Sequence, residues 1–534
     1  MSTSQGDKEC LSGLRELTIH DCPCLVLSYP LPPSALTSHF SIKGIPTYPT
    51  MKIKYGKLSI TSDELIMLDD KILAFHNLRG IEFLFIKDCR NLVSISSGRL
   101  KKLIDLKDLH ITGCPNFTMT SGLVLPSPSS LSIQSCAISG SWLTEMLSHV
   151  RSLESLKLHD CPQIKFLSFS QPAAIEGERS LGSAATHSDS DEQLLKIPSN
   201  IIHSLRELVI SNCPDLEFGG EEGALRGYTS LESIKVQSCP KLIPLLVSGK
   251  MEVGSLPPSL RSLDIDMDPE LSTVWDLKLQ ELEQGVNQVP PPPPSLDTLC
   301  ITNLTDKVQS RLLSFLPTIT TLVISASPEL TSLQLGYSKA LEELIIVDCE
   351  SLASVEGFGS LTNLRSLTVY DSPSLPRCFE ILSQQQGASE ILSRLDNLQI
   401  GDGSILTVSL CKQLTSLASI SFWPARSKRG ATMMGLTEEQ ERALQLLTSL
   451  EYLIFWHLPN LLSLPANLAS LTSLKWLHIG DCPRITRLPK MGLPLSLTQL
   501  YVSGCSEELH MQCRMAATEK LAVRIDGELV DIIN

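Results

Sequence analysis

The chain has 534 residues and a formal net charge of −14, with 42% hydrophobic but only 5% aromatic residues. That length exceeds the ~250–300 residues that one hydrophobic core fills, so the chain is either several domains or an array whose units pack only on their neighbours. The acidic balance excludes the basic surface needed to neutralise phosphates or to sit on an anionic membrane, so no nucleic acid and no membrane is expected as a partner. Met1 to Lys8 is polar and lacks the apolar stretch of a signal peptide. No uninterrupted apolar run approaches ~20 residues, so no membrane-spanning helix is predicted.

One pattern returns from start to end. It first reads Leu14-x-x-Leu17-x-Ile19-x-x-Cys22-Pro23-x-Leu25, then Leu106, Leu109, Ile111, Cys114, Pro115, Phe117, then Leu153, Leu156, Leu158, Cys161, Pro162, Ile164. Further copies begin at Leu205, Leu231, Leu260, Ile319, Leu341, Leu364, Leu395, Leu450 and Leu474, and weaker ones near Tyr55, Ile81, Pro128, Leu296, Leu417 and Leu497. Common spacings of about 22–26 residues and a total of about 18 copies match the period of leucine-rich repeats. The expected fold is α/β: a curved leucine-rich-repeat solenoid, with a concave parallel β-sheet and an irregular or short-helical convex side.

Each copy explains its own shape. The x-Leu-x-Ile-x stretch alternates with period two and predicts a short strand with one buried face. The Cys turns the chain into the layer, where a small soft thiol tolerates burial, and the following Pro cannot donate to a ladder and ends the strand. Leu17, Ile19, Leu156, Leu158, Leu208, Ile210, Leu344 and Ile346 are expected in the core, with Cys22, Cys114, Cys161, Cys213, Cys239, Cys349 and Cys482 buried and unbridged. On the returning side, Leu468 to Leu474 suits a helical turn. Leu256-Pro-Pro-Ser-Leu260 does not, and is expected to run extended.

The array is expected to occupy 1–534, with loop insertions at about 170–196, 276–295 and 424–446. The first includes Gln171 to Gln193, rich in Ser, Ala, Glu and Asp, and reads as a solvated loop. The second ends in Pro290 to Pro294, a stiff polyproline spacer. The third, Pro424 to Gln445, carries Arg426, Lys428 and Arg429 and predicts a helix from about Thr437. Only Met1 to Gly13 precedes the first copy. That is short for a cap, and is what the C-terminal part of a longer protein, or a truncated product, would show.

Chemistry is sparse. There is no Gly-x-x-x-x-Gly-Lys-Ser/Thr, no His-Glu-x-x-His and no Gly-x-Ser-x-Gly. Cys22-Pro23-Cys24 has no second pair at zinc spacing. His20, His110, His159 and His478 lie close to repeat cysteines in sequence, but the register points them to the opposite side from the thiols. No cofactor, no metal and no catalytic constellation is predicted, so the chain is read as a binding protein and not an enzyme. Most of the 16 cysteines recur at one repeat position, and there is no secretory signal, which favours reduced thiols and a cytoplasmic or nuclear setting.

The wording of the repeat is specific. LRELVISNCPDL at Leu205 to Leu216 and LKWLHIGDCPRI at Leu474 to Ile485 resemble the C-terminal repeat region of plant intracellular nucleotide-binding leucine-rich-repeat disease resistance proteins, especially those of grasses. The ending from Ala522 to Asn534 is similar to the tail of such receptors. The resemblance implies a recognition module in plant defense and innate immunity. Its protein ligand would be a pathogen effector, a host guarded protein or the receptor's own nucleotide-binding domain. No nucleotide-binding domain is present in the chain, so ATP binding is not carried over. The alternative is a substrate-recruiting subunit of a ubiquitin ligase. Within the last repeats the register turns Trp423, Tyr452, Ile454, Trp456, Trp476, His478 and Tyr501 outward, where earlier repeats hold Ser155, Lys157, Ser233, Lys235, Ser262 and Asp264. These seven are the candidate protein-binding residues on the concave face, because exposed Trp and Tyr are enriched at binding hot spots.

Overall fold

A computed structural model describes residues 13–27, 29–35, 37–46, 48–96, 99–118, 128–170, 192–219, 224–242, 256–267, 296–307, 309, 318–336, 338–383, 388–424 and 433–531. The chain divides into two compact units, Met1–Asp266 and Met267–Asn534. Each is a leucine-rich-repeat solenoid, and every copy anticipated above carries a five- or four-residue strand that begins two residues after its first position.

The sheet strands of the first unit are β1 (Glu16–His20), β2 (His39–Lys43), β3 (Thr50–Lys54), β4 (Lys57–Thr61), β5 (Phe83–Lys87), β6 (Asp108–Thr112), β7 (Ser130–Gln134), β8 (Ser155–His159), β9 (Glu207–Ser211), β10 (Ser233–Gln237) and β11 (Ser262–Asp266). Those of the second are β12 (Thr298–Thr302), β13 (Thr321–Ser325), β14 (Glu343–Val347), β15 (Ser366–Tyr370), β16 (Asn397–Ile400), β17 (Ser419–Phe422), β18 (Tyr452–Trp456), β19 (Trp476–Gly480), β20 (Gln499–Ser503), β21 (Ala522–Ile525) and β22 (Glu528–Leu529). Pairing is in-register and parallel between successive repeats, so Leu156 sits beside Leu208 and Leu208 beside Ile234, and Leu453 beside Leu477 and Leu477 beside Leu500. The second and fourth residues of these strands are buried almost without exception, as in Leu109, Ile111, Leu344, Ile346, Leu477 and Ile479. They form one thin aliphatic layer per repeat, and each layer is covered only by its neighbours.

At many corners the ladder runs one residue beyond the strand. The Asp88 N–H donates to the Thr112 carbonyl at 2.9 Å, Asp160 to Ser211 at 3.0 Å and Asp481 to Ser503 at 2.8 Å. These residues then take positive φ, 52°, 51° and 50°, and swing the chain inward. Asp and Asn tolerate this left-handed conformation better than other side chains. The next residue is the repeat cysteine, whose thiol donates to the carbonyl two residues back, 3.4 Å for Cys89, 3.6 Å for Cys161 and 3.2 Å for Cys482. Ser327 and Ser372 occupy the same place and make the same bond with a hydroxyl. A turn closes the corner, with the N–H of Ile164 reaching the Cys161 carbonyl and that of Ile485 the Cys482 carbonyl. In both, the proline stands at the second turn position, where its fixed φ fits.

Several expectations are corrected. Two reversals interrupt the parallel order. β3 pairs antiparallel with β2 and, through the two-residue turn Tyr55-Gly56, with β4; β21 and β22 pair antiparallel through Asp526-Gly527. Both residues of each turn have positive φ, as the hairpin geometry that matches strand twist demands. Leu17, Ile19 and Cys22 are half-buried and not fully buried, since β1 has a paired strand on one side only among the described residues. The Leu256 to Leu260 segment is non-helical but closes a turn, with the Leu260 N–H on the Pro257 carbonyl, instead of running extended. Leu468–Ser470 does form a short helical turn.

The expected insertions are described only in part. Residues 171–191, 268–295 and 425–432, which include the Ser-rich stretch, the prolines Pro290 to Pro294 and the cluster Arg426, Lys428 and Arg429, lie outside the described residues. The end of the first insertion is not loop, because Leu194–Ile197 is a strand, with Leu195 and Ile197 buried, that pairs with Phe166–Phe169. It packs against helix α1 (Gly140–His149), where the Lys196 N–H donates to the Thr144 hydroxyl at 2.8 Å. Helix α2 (Leu375–Leu382) lies on the returning side of the second unit. The end of the third insertion is helix α3 (Glu438–Gln445), with Thr437 and Gln440 in a reciprocal capping box and Ala443 and Leu444 buried. Helix α4 (Glu507–Ala516) follows, capped by Ser506.

Gly140 tests the packing of that first insertion. A Cβ built there would lie 2.4 Å from the backbone carbon of Leu194. Gly140→Ala is expected to lower stability by about 1–3 kcal/mol through forced separation of α1 from this strand. Chemical denaturation checks it, and an unchanged midpoint would mean that the two elements are not in contact.

Candidate functional site

Along β18, β19 and β20 the buried residues are Leu453 and Phe455, Leu477 and Ile479, and Leu500 and Val502. The intervening side chains must therefore stand on the open face. The register orders them in rows: Tyr452 beside Trp476 and Gln499; Ile454 beside His478, Tyr501 and, on β21, Arg524; Trp456 beside Gly480. Tyr452 and Trp476 are each 38% exposed and Trp423, just past β17, is 42% exposed. Ile454, Trp456, His478 and Tyr501 are half-buried.

Five of the seven candidate residues form a continuous chain of rings. Tyr452 and Trp476 have centroids 5.9 Å apart, and Trp476 stacks on Tyr501 at 5.1 Å and 20°. Tyr501 meets His478 at 5.9 Å, and His478 meets Trp456 edge-to-face at 4.8 Å. Ile454 joins through its register with His478. Trp423 has no ring contact with the others among the described residues, although its backbone N–H continues the ladder to Ile400.

Two residues of this surface escaped the sequence reading. Gly480 lies under Trp456, and a Cβ there would fall 2.2 Å from the indole, so the glycine lets the ring lie flat on the strand. Arg524 places its guanidinium carbon 5.8 Å from the Tyr501 ring centre, a cation–π contact. Its Nε is enclosed without a hydrogen-bond partner, and its guanidinium has no ion pair among the described residues. By contrast, the nearby Lys475 is paired with Glu451 at 2.6 Å and His457 with Asp481 at 2.8 Å.

The open face of the first unit differs. Lys157 pairs with Glu207 at 2.8 Å and Lys235 with Asp264 at 2.7 Å. Burial opposes ionisation of Glu207, but hydrogen bonds from Lys157 and Ser155 outweigh it and hold that carboxyl below the ordinary carboxylate range. Such half-exposed pairs are worth little to stability, and they make this face self-satisfied. The polar reading of the earlier repeats needs one correction, because Phe85 stacks on His110 at 4.7 Å with Lys87 over its ring.

No family model matches the sequence, and no curated protein matches it. Solved structures of repeat proteins do align with it. TLR13 in its complex with ssRNA13 is 15% identical over 80% of this chain and 74% of that one, with a TM-score of 0.34. A leucine-rich-repeat (LRR) protein of Leptospira interrogans is 15% identical over 82% and 95%, with a TM-score of 0.30. A chain of the yeast Rad7 and Elc1 complex is 17% identical over 61% and 81%, with a TM-score of 0.32. At these identities the likeness is one of fold.

Burial pushes the repeat thiols of Cys161 and Cys482 up to about 12, so these two stay protonated and unreactive at neutral pH. The fifteen cysteines described are free thiols. Among the described residues no three His, Cys, Asp or Glu side chains converge so as to hold a metal ion. No described helix is long and apolar enough to cross a membrane.

His478 reports on the patch. Burial between the rings lowers its pKa from the ordinary imidazole value near 6.5, with Asp481 opposing the shift. The folded chain therefore resists a proton that the unfolded chain accepts. His478 is neutral in its effect above that value, and destabilises the second unit as pH falls below it. An NMR titration should show His478 protonating below 6.5, and a midpoint above that value would mean that the imidazole is not enclosed by the rings.

Proposed function

We propose that this chain is a protein-recognition module whose main contact surface is the ring cluster of Tyr452, Ile454, Trp456, Trp476, His478 and Tyr501, with Trp423 at its margin. The observation that carries the reading is the unbroken row of partly exposed aromatic rings on adjacent strands, in a chain otherwise poor in aromatics. Rings held by a rigid sheet lose little freedom on binding, and they supply the large contact areas that dominate hot spots. Nothing in the arrangement positions a nucleophile or an acid–base pair, so binding and not catalysis is the activity proposed.

The repeat wording supports placing this module in a plant intracellular immune receptor, cytoplasmic or nuclear. There it would sense a pathogen effector or a guarded host protein, or hold the receptor's nucleotide-binding domain in an inactive contact. The net charge of −14 argues for a protein ligand over a nucleic acid.

Quantitative co-purification from plant cells tests this, comparing the wild-type chain with Trp456→Ala and Trp476→Ala variants whose circular dichroism matches it. Partners of the surface should drop about tenfold or more in each variant. Equal recovery by folded variants would end the assignment of the surface. A ligase scaffold protein recovered with all three chains would favour the substrate-recruiting alternative.

A further inference from the structure

Arg524 gives the aromatic surface a direction. It occupies the same row as Ile454, His478 and Tyr501, one strand beyond the last ring. On the open face of the first unit two lysines meet acids of the same chain, Lys157 with Glu207 and Lys235 with Asp264, while Lys87 lies over the Phe85 ring. Beside the rings Lys475 is matched by Glu451, and the His457 imidazole meets Asp481 at 2.8 Å. Among the described residues Arg524 has only the Tyr501 ring, and its Nε is already enclosed without an acceptor. Asp526, the nearest acid along β21 and its turn, is engaged by the Gly504 N–H at 3.1 Å and faces His510 at 4.0 Å. A fixed guanidinium at the edge of an apolar platform is a site for a carboxylate, which it can bind through two parallel hydrogen bonds.

We infer that the ligand of this surface is an acidic peptide segment of a partner protein, with a carboxylate that pairs with Arg524 and an adjacent apolar or aromatic side chain that lies on Trp476 and Tyr501. This rests on the proposed role of the ring cluster and adds the chemistry of its partner. Charge complementarity is the argument: among the described residues Arg524 is a cation of the platform without an acid, and it lies next to the stacked pair Trp476 and Tyr501. A nucleic acid would use the same stacking, but a single guanidinium in a chain of charge −14 leaves most of its phosphates unmatched.

Selection of a random peptide library on the full chain, followed by fluorescence anisotropy of the enriched peptides, tests the inference. Enriched peptides should carry Asp or Glu within about three residues of Trp, Phe or Leu. Their affinity should fall about tenfold or more in Arg524→Gln, be partly kept in Arg524→Lys, and weaken as salt rises. Trp476→Ala should weaken the same peptides. Circular dichroism confirms folding of every variant. Loss in Trp476→Ala with full binding by Arg524→Gln, or enrichment of acid-free peptides, would overturn the acidic partner while leaving the ring surface standing. No enrichment over a Trp476→Ala, Arg524→Gln double variant, or full binding by both single variants, would overturn both. Single-stranded RNA binding that depends on Arg524, measured by the same anisotropy, would overturn the peptide reading in favour of a nucleic acid.

Discussion

The hydrogen bond that carries the parallel ladder one residue past the strand at many corners is the constraint on which the rest depends. It holds the residue before the repeat cysteine against the next strand while that residue takes positive φ, as Asp88, Asp160, Asn212, Asp348 and Asp481 do. The corner then delivers a thiol or hydroxyl into the layer at one fixed height. Where a corner is tied to the next, the strand cannot slip by a residue without breaking its neighbour's corner. A slip would also turn every buried Leu and Ile outward.

A register held this firmly converts one-dimensional sequence into two-dimensional surface. Positions that recur every repeat become rows, and strands ~4.8 Å apart bring the side chains of a row into contact. On β8 to β11 the rows hold Lys157, Glu207, Lys235 and Asp264, which pair across strands. On β18 to β20 the same rows hold Tyr, Trp and His, which stack. The strand register is the same in both, so the difference between the two surfaces lies in the residue types placed at the outward positions. Gly480 shows the fit at one point, since only a strand residue without Cβ leaves room for Trp456 to lie down.

Most of the strands were legible because Leu-x-x-Leu-x-Ile is both the signature and the cause of the buried layer. The strands that were missed lack one of its letters. β2 opens with Thr37 where the others have Leu, yet Phe40 and Ile42 fill the layer and Gly44 makes the corner. The two hairpins were written in Tyr55-Gly56 and Asp526-Gly527, short-turn signals hidden by attention to a longer period. Leu194–Ile197 was absorbed into a polar neighbourhood although its own alternation marks a strand. Of the candidate site, the ring residues follow from register alone. Arg524 does not, because Val523-Arg524-Ile525 lacks the Leu-x-x-Leu-x-Ile letters that mark the other strands. The contacts that set the site's character, Trp476 on Tyr501 and Arg524 on Tyr501, depend on side-chain rotamers that no pattern of letters encodes.

Register is the central claim, and hydroxyl-radical footprinting of the native chain reads it most directly, comparing residues of identical chemistry. Trp142 and Tyr228 are 8% and 0% exposed, whereas Trp476 and Tyr452 are each 38% exposed. The account predicts that Trp476 and Tyr452 are oxidised well ahead of Trp142 and Tyr228. Oxidation of Trp142 and Tyr228 at rates equal to those of Trp476 and Tyr452 would contradict the placement of these rings on the open face.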